Sequence, residues 1–210
     1  MMKKIYILRH GETQWNKEEI FRGRNDIPLN EVGLKQAELA SYYFKDKGIE
    51  RIFSSPLLRA MQTAEAVSKT VGGDIEIVEE FIDINFGIWE GLTVKEVEKN
   101  FPEDFDIWVK SPQMLNIKGA ETLEAVRKRI ASGFERILSE KSENLLIVTH
   151  RAICKIIVLF LLDMGNEFFW TMKFDPASIT LLEKHSNRYL LVFSNDTCHL
   201  QGIKGLYRDF

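Results

Sequence analysis

The chain has 210 residues, 45% of them hydrophobic and 28% charged, with a formal net charge of -3. These values fit a single globular domain (1–210) with a real core and argue against a nucleic-acid coat or a polybasic membrane patch. The two cysteines, Cys154 and Cys198, form no CxxC pair, so the sequence predicts neither a disulfide framework nor a zinc site. That usage suits a reducing cytoplasm. The N-terminus runs from Met1-Met2-Lys3-Lys4 straight into a strand rather than a signal peptide, and the longest apolar run, Ile156–Leu162, is too short to span a bilayer.

In chain order, Lys3–Leu8 reads as a first strand. Asn30 is placed to cap a helix running to about Asp46, with Leu34, Ala37 and Phe44 on its inner face and Gly48 ending it. Arg51–Ser54 is a short strand. Ser54-Ser55-Pro56 then reads as a helix start, with hydroxyl caps followed by proline in the first turn. Ala60, Ala64, Val67 and Val71 recur at helical spacing up to Gly72-Gly73. Ile75–Val78 alternates like a strand, and Phe81–Phe86 is extended or a loop. Thr93–Asn100 and Glu103–Lys110 are two short helices split by Pro102. Glu121–Leu138 carries a stripe of Leu123, Val126, Ile130, Phe134 and Ile137. Leu145–Val148 is the continuous apolar strand of a parallel sheet interior, and Ala152–Leu162 is a helix broken only by Lys155. Ser178–Leu182 and Tyr189–Phe193 form a hairpin around Ser186-Asn187, and the tail from Cys198 to Phe210 has no clear period. This alternation predicts an α/β fold: three layers, a mostly parallel sheet with helices on both faces. The stretch from about 90 to 119 interrupts it and reads as a lid insertion.

Four strand-to-helix junctions carry unusual residues: Arg9-His10, Arg59, Asp83 and His150. The carboxyl ends of parallel strands lie on one side of a sheet, so these junctions can share a crevice. Two arginines and two histidines around one point make an anion site. An arginine can grip a phosphate oxygen while a histidine attacks phosphorus. His185 and His199 read instead as surface or structural residues, and Trp89, Trp108 and Trp170 as core or lid packing.

The ordered set Leu8-Arg9-His10-Gly11-Glu12-Thr13-Gln14-Trp15-Asn16, Phe21-Arg22-Gly23, Pro28–Gly33, Phe53–Ala64, Phe86-Gly87-Ile88-Trp89-Glu90-Gly91 and Val148-Thr149-His150 resembles the histidine phosphatase superfamily, also called phosphoglycerate mutase-like. The resemblance implies that fold, and His10 as a nucleophile forming a phosphohistidine. Arg9, Asn16, Arg59 and His150 would hold the phosphoryl group. Asp83 would be the acid that protonates the leaving oxygen, where many members have Glu, with Glu80 as a neighbouring substitute. His10 must be neutral to attack, and flanking cations favour that form. Arginines can neutralise phosphoryl oxygens without a metal, so no cofactor and no metal are expected. Cofactor-dependent mutases carry Arg-His-Tyr-Gly after the acid; Ile84-Asn85-Phe86-Gly87 resembles the broad phosphatase branch, including α-ribazole and metal-independent phosphoserine phosphatases. The expectation is a phosphomonoester hydrolase acting on a small phosphorylated metabolite, with a mutase or a non-catalytic phospho-ligand module as alternatives. Arg151 stands where many relatives have Gly; with Arg22 and Gly23 it is a candidate substrate contact, for a second anionic group such as a carboxylate. No nucleic-acid or membrane partner is expected, and a homodimer is compatible with the resemblance.

Overall fold

In the computed structural model, which describes residues 3–139 and 141–203, six strands form one mixed sheet. In chain order they are β1 (Lys4–Arg9), β2 (Arg51–Ser54), β3 (Ile75–Ile77), β4 (Asn144–Thr149), β5 (Ile179–His185) and β6 (Arg188–Asp196). Their spatial order is β3-β2-β4-β1-β5-β6. β1 to β4 run parallel; β5 is antiparallel to β1, and β6 to β5. The helices are α1 (Gln14–Lys17), α2 (Glu31–Phe44), α3 (Leu58–Val71), α4 (Val94–Asn100), α5 (Pro102–Lys110), α6 (Leu123–Ser139) and α7 (Arg151–Leu161).

Period-two alternation explains the layers. In β1, Ile5 and Ile7 join the core shared with Val126, Ile130 and Phe134 of α6 and Ile153 and Ile157 of α7. Tyr6 and Leu8 face the other core, with Ala40 and Phe44 of α2 and Ala60, Ala64 and Val67 of α3. Both faces of the central strands are therefore buried, at about 1.5–3 kcal/mol for each large aliphatic side chain. The stripe expected on α6 is fully buried as written.

Two local readings differ. Leu34 is 50% exposed, because α2 presents Gly33, Ala37, Ala40 and Phe44 inward and Leu34 falls off that arc. α3 starts later than the serine-proline signal suggests: Leu57 is its N-cap without a side-chain bond, and Ser54, Ser55 and Pro56 all precede it. The released serine hydroxyl has another partner, described below.

The stretch between 90 and 119 folds into α4, α5 and a short 3-10 turn at Pro112–Met114. Thr93 and Glu96 cap α4 reciprocally, and Pro102 opens α5. Val97 and Trp108 anchor the segment in the α6/α7-side core, making it a packed wall. Of the tail, Cys198–Leu200 is a 3-10 turn; residues 204–210 lie outside the described residues.

Candidate active site

The parallel ladder brings the site together. Arg9 pairs with Thr149 across β1 and β4, so His10 and His150 leave adjacent strand ends side by side, ring centroids 5.2 Å apart. β2 ends at Ser54, one strand over, and leads through Ser55 into α3, where Arg59 lies in the first turn. The loop after β3 delivers Asp83. His10, Arg59 and His150 are fully buried, and Arg9 and Asp83 nearly so.

The loop after β1 lies hard against the N-terminus of α2. A Cβ on Gly33 would sit 2.0 Å from the Glu12 carbonyl oxygen, and one on Gly11 would sit 2.5 Å from the Gly33 carbonyl oxygen. Only glycine at both positions permits this approach. Side chains then pin the loop: Gln36 Oε1 accepts from Glu12 N at 2.8 Å, Asn30 Nδ2 donates to Glu12 Oε1 at 2.7 Å, and Thr63 Oγ1 accepts from Gly11 N at 3.2 Å.

Hydrogen bonding sets the state of each imidazole. His10 Nδ1 lies 2.6 Å from the Gly11 carbonyl, an acceptor only, so Nδ1 carries the proton. Its Nε2 is buried and has no hydrogen-bond partner among the described residues. That nitrogen holds an uncommitted lone pair. Burial, then Arg59, His150, Arg9 and Arg22, hold the His10 pKa well below the usual imidazole value. His150 is also driven well below it, by burial first and then by Arg59, Arg22, Arg129 and Arg9. Its two nitrogens are engaged, however. Arg59 Nε donates to Nδ1 at 3.2 Å, and Nε2 donates to Ser55 Oγ at 2.7 Å.

Arg59 is a hub. Besides His150, it donates to the Asn25 carbonyl at 2.8 Å, the Gly23 carbonyl at 2.9 Å and Asp83 Oδ2 at 3.0 Å. Asp83 Oδ1 accepts from Ile84 N, and Oδ2 lies 3.6 Å from His150 Nδ1. The Asp83 backbone is held from α6, where Arg129 donates to the Asp83 and Glu80 carbonyls and pairs with Glu121 at 2.9 Å. Glu80 packs against Gly133 of α6, and it is Asp83 that lines the crevice.

The crevice holds about 570 Å³ and is lined by Arg9, Asn16, Arg22, Gly23, Asp83 and Arg151, together with apolar side chains. Arg9 donates to the Phe174 carbonyl. Asn16 gives its Oδ1 to Thr13 in the capping box of α1, which leaves its amide N–H groups for a ligand. Arg22 Nε has no partner among the described residues, and the Arg22 pKa is pushed well down by burial and by Arg9, Arg59 and Arg151. Gly23 has φ +51°, where an L side chain is strained, and a Cβ there would also push Glu90 out of place. Glu90 in turn accepts from Arg24 N, Phe86 N and Asn25 Nδ2, tying the Gly23 loop to the Phe86 turn.

Every candidate residue thus falls in or beside one crevice. His185 and His199 lie elsewhere: His185 stands near Glu183 on the hairpin and His199 against Tyr43. Ser55, Thr63, Glu90 and Arg129 were not singled out as site residues by the sequence. Ser55 did give a signal, but it read as a helix cap. Trp108 is core packing as expected and lines the crevice as well.

Comparison with known proteins identifies the family. The histidine phosphatase superfamily (branch 1) profile matches residues 5–197. Phosphoserine phosphatase 1 of Hydrogenobacter thermophilus is 30% identical over 200 residues, 95% of each chain. The structure of YhfR from Bacillus stearothermophilus superposes with a TM-score of 0.89 at 27% identity, covering 95% of this chain and 100% of that one. A mycobacterial glucosyl-3-phosphoglycerate phosphatase gives a TM-score of 0.87 at 25% identity, over 93% and 100% of the two chains. With its α/β sheet, its paired histidines and a family match across most of its length, the chain belongs to the histidine phosphatase superfamily, branch 1, and is an enzyme of the phosphatase type.

Proposed function

We propose that this enzyme hydrolyses phosphomonoesters of small metabolites through a phosphohistidine on His10, without a metal or cofactor, in the cytoplasm. The observation that carries the reading is the His10 ring: Nδ1–H is committed to the Gly11 carbonyl and Nε2 is buried, neutral and unpartnered beside guanidinium groups. Phosphoryl transfer is chiefly positioning and neutralisation of oxygen charge. Arg9, Arg59 and Asn16 perform both on the phosphoryl oxygens, and His150 joins them by turning its Nε2–H from Ser55 to a phosphoryl oxygen. In the first step the Nε2 lone pair attacks phosphorus, the P–O bond to the alcohol breaks, and the leaving oxygen takes a proton that the ester monoanion has passed to Asp83. In the second step Asp83 takes a proton from water, the water oxygen attacks phosphorus, and the P–N bond breaks to release phosphate. Arg59 begins paired with Asp83 at 3.0 Å and shares its charge with the incoming phosphate. Arg22, Gly23 and Arg151 contact the remainder of the substrate. Arg22 and Arg151 line the crevice beside Arg9, an arrangement that suits esters bearing a second anionic group, in keeping with relatives named for phosphoserine and glucosyl-3-phosphoglycerate.

The test is phosphate release in EDTA from phosphoserine, 3-phosphoglycerate, α-ribazole phosphate, sugar phosphates and an aryl phosphate, with acid-labile phosphate on the protein measured in parallel. Release that disappears in His10→Ala, with a phosphoenzyme in the parent, is expected. Release that persists in His10→Ala overturns the mechanism. Phosphoryl exchange primed by bisphosphoglycerate, without net release, identifies a mutase instead.

A further inference from the structure

An aspartate side chain is one methylene shorter than a glutamate, so the backbone of Asp83 decides where its carboxyl stands. That backbone belongs to no strand: β3 ends at Ile77, and a 3-10 turn covers Glu79–Phe81. The Asp83 carbonyl accepts instead from two guanidiniums of separate segments, Arg24 Nε at 3.4 Å and Arg129 Nη2 at 3.3 Å. Two cations brought to one carbonyl repel each other. Glu121, two residues ahead of α6, supplies the anion that both of them meet. It takes Arg129 through both oxygens, Nε to Oε1 at 2.9 Å and Nη2 to Oε2 at 3.1 Å. Its Oε2 also pairs with Arg24 Nη2 at 3.1 Å and accepts from Asn85 N at 3.0 Å. Glu121 N donates to the Asn85 carbonyl at 2.9 Å, which closes the clamp on the acid loop.

The Glu121 and Arg129 side chains are 19% and 17% exposed, so salt screens this pair little. Burial alone would raise the Glu121 carboxyl; the hydrogen bonds from Arg129 and Asn85, and the charges of Arg129 and Arg24, hold it below its ordinary value. Arg24 carries the clamp to the phosphate side of the crevice. Arg59 donates to the carbonyls of Gly23 and Asn25, the residues on either side of Arg24. The segment that seats a phosphate-binding arginine and the loop that bears the acid are thus joined through one carboxylate. We infer that Glu121 is a positioning residue for Asp83: its charge holds Arg24 and Arg129 together on the Asp83 carbonyl and so sets the reach of the acid to the leaving oxygen. This rests on reading the site as a phosphoester hydrolase with Asp83 as its acid.

The experiment compares ethyl phosphate with para-nitrophenyl phosphate in Glu121→Gln, which keeps the shape and one acceptor oxygen and removes the charge. With ethyl phosphate kcat/KM should fall about tenfold, the scale of a slightly displaced catalytic group. With the aryl ester, whose leaving oxygen needs little protonation, it should fall less than about twofold. Asp83→Asn combined with Glu121→Gln completes a cycle. Once the acid is gone, the second change should cost ethyl phosphate less than about twofold more. Arg24→Ala, on the more exposed arm of the clamp, should give the same pattern at smaller size and carries both measurements should Glu121→Gln fail to fold. Equal losses on the two esters, no loss on either, or additive losses in the double variant overturn the inference and leave the hydrolase reading standing. A parent enzyme that turns over neither ester and forms no phosphoenzyme overturns both.

Discussion

The ends of β1 and β4 carry the same side chain in neighbouring positions, and the surroundings treat the two imidazoles differently. His10 and His150 are equally buried, stand 5.2 Å apart and are both driven toward the neutral form. Strand position and burial therefore do not distinguish a nucleophile from a supporting group. Hydrogen bonds do. A backbone carbonyl takes the Nδ1 proton of His10 and leaves Nε2 open, whereas Ser55 and Arg59 engage both nitrogens of His150.

The largest effect that could break this contrast is exchange of roles. His10→Ala should lower kcat by about 10⁴-fold or more and abolish phosphoenzyme. His150→Ala should cost about 10²–10³-fold, the scale of a lost charge-stabilising donor, and still form phosphoenzyme. If His150→Ala instead abolished the phosphoenzyme, the assignment would be reversed. Asp83→Asn should lower kcat by about 10²-fold on alkyl esters and much less on an aryl ester, whose leaving oxygen needs little protonation. Equal losses on both would make Asp83 only a partner of Arg59.

A smaller effect sharpens the contrast. Ser55→Ala removes the acceptor from His150 Nε2 and should reduce kcat/KM by about tenfold, the scale of one lost buried hydrogen bond. The ¹⁵N shifts of His150 should lose the single Nε2–H tautomer in that variant and those of His10 should not change. Unchanged His150 shifts would show that Arg59 alone sets its state. The smallest effect is on stability. Both histidines have folded pKa values below the unfolded value of about 6.5. The unfolded chain then binds more protons as pH falls, so stability is lost below about pH 6.5 and is unaffected above it. Each histidine contributes a loss of at most about 1.4 kcal/mol per pH unit in that window. Melting from pH 8 to 5 should show His150→Asn losing less than the parent; identical curves would mean that His150 takes up a proton in the folded protein.

Much of this was legible in the sequence because it is local. Alternating β1 residues, the α6 stripe and the turn at Ser186 are set by neighbours within a few positions, and Arg9-His10 and His150 announce themselves by following apolar strands. What was misread depends on partners far along the chain. Ser55 looks like a cap until β2 and β4 pair and bring His150, 95 positions away, to its hydroxyl. Arg129 drew no reading from the sequence, because the Asp83 loop it holds lies 46 positions away. Leu34 was placed inward because the pattern of α2 does not say which arc Gly11 and Gly33 press against the strand ends.

The ladder position of β1 also governs when the enzyme can come into being. Among the described residues, β1 pairs with residues 144–149 and 179–183 alone, so this strand is synthesised well before either of its neighbours. Long-range parallel pairing is slow, and an unpaired apolar strand is a hazard on a nascent chain. β2, β3, α2 and α3 can collapse early around residues 31–77, but the cradle around His10 closes only after β4 arrives. Ribosome-bound chains truncated before about residue 185 should therefore hold no competent site, and catalytic activity should appear in one step once β5 has been made.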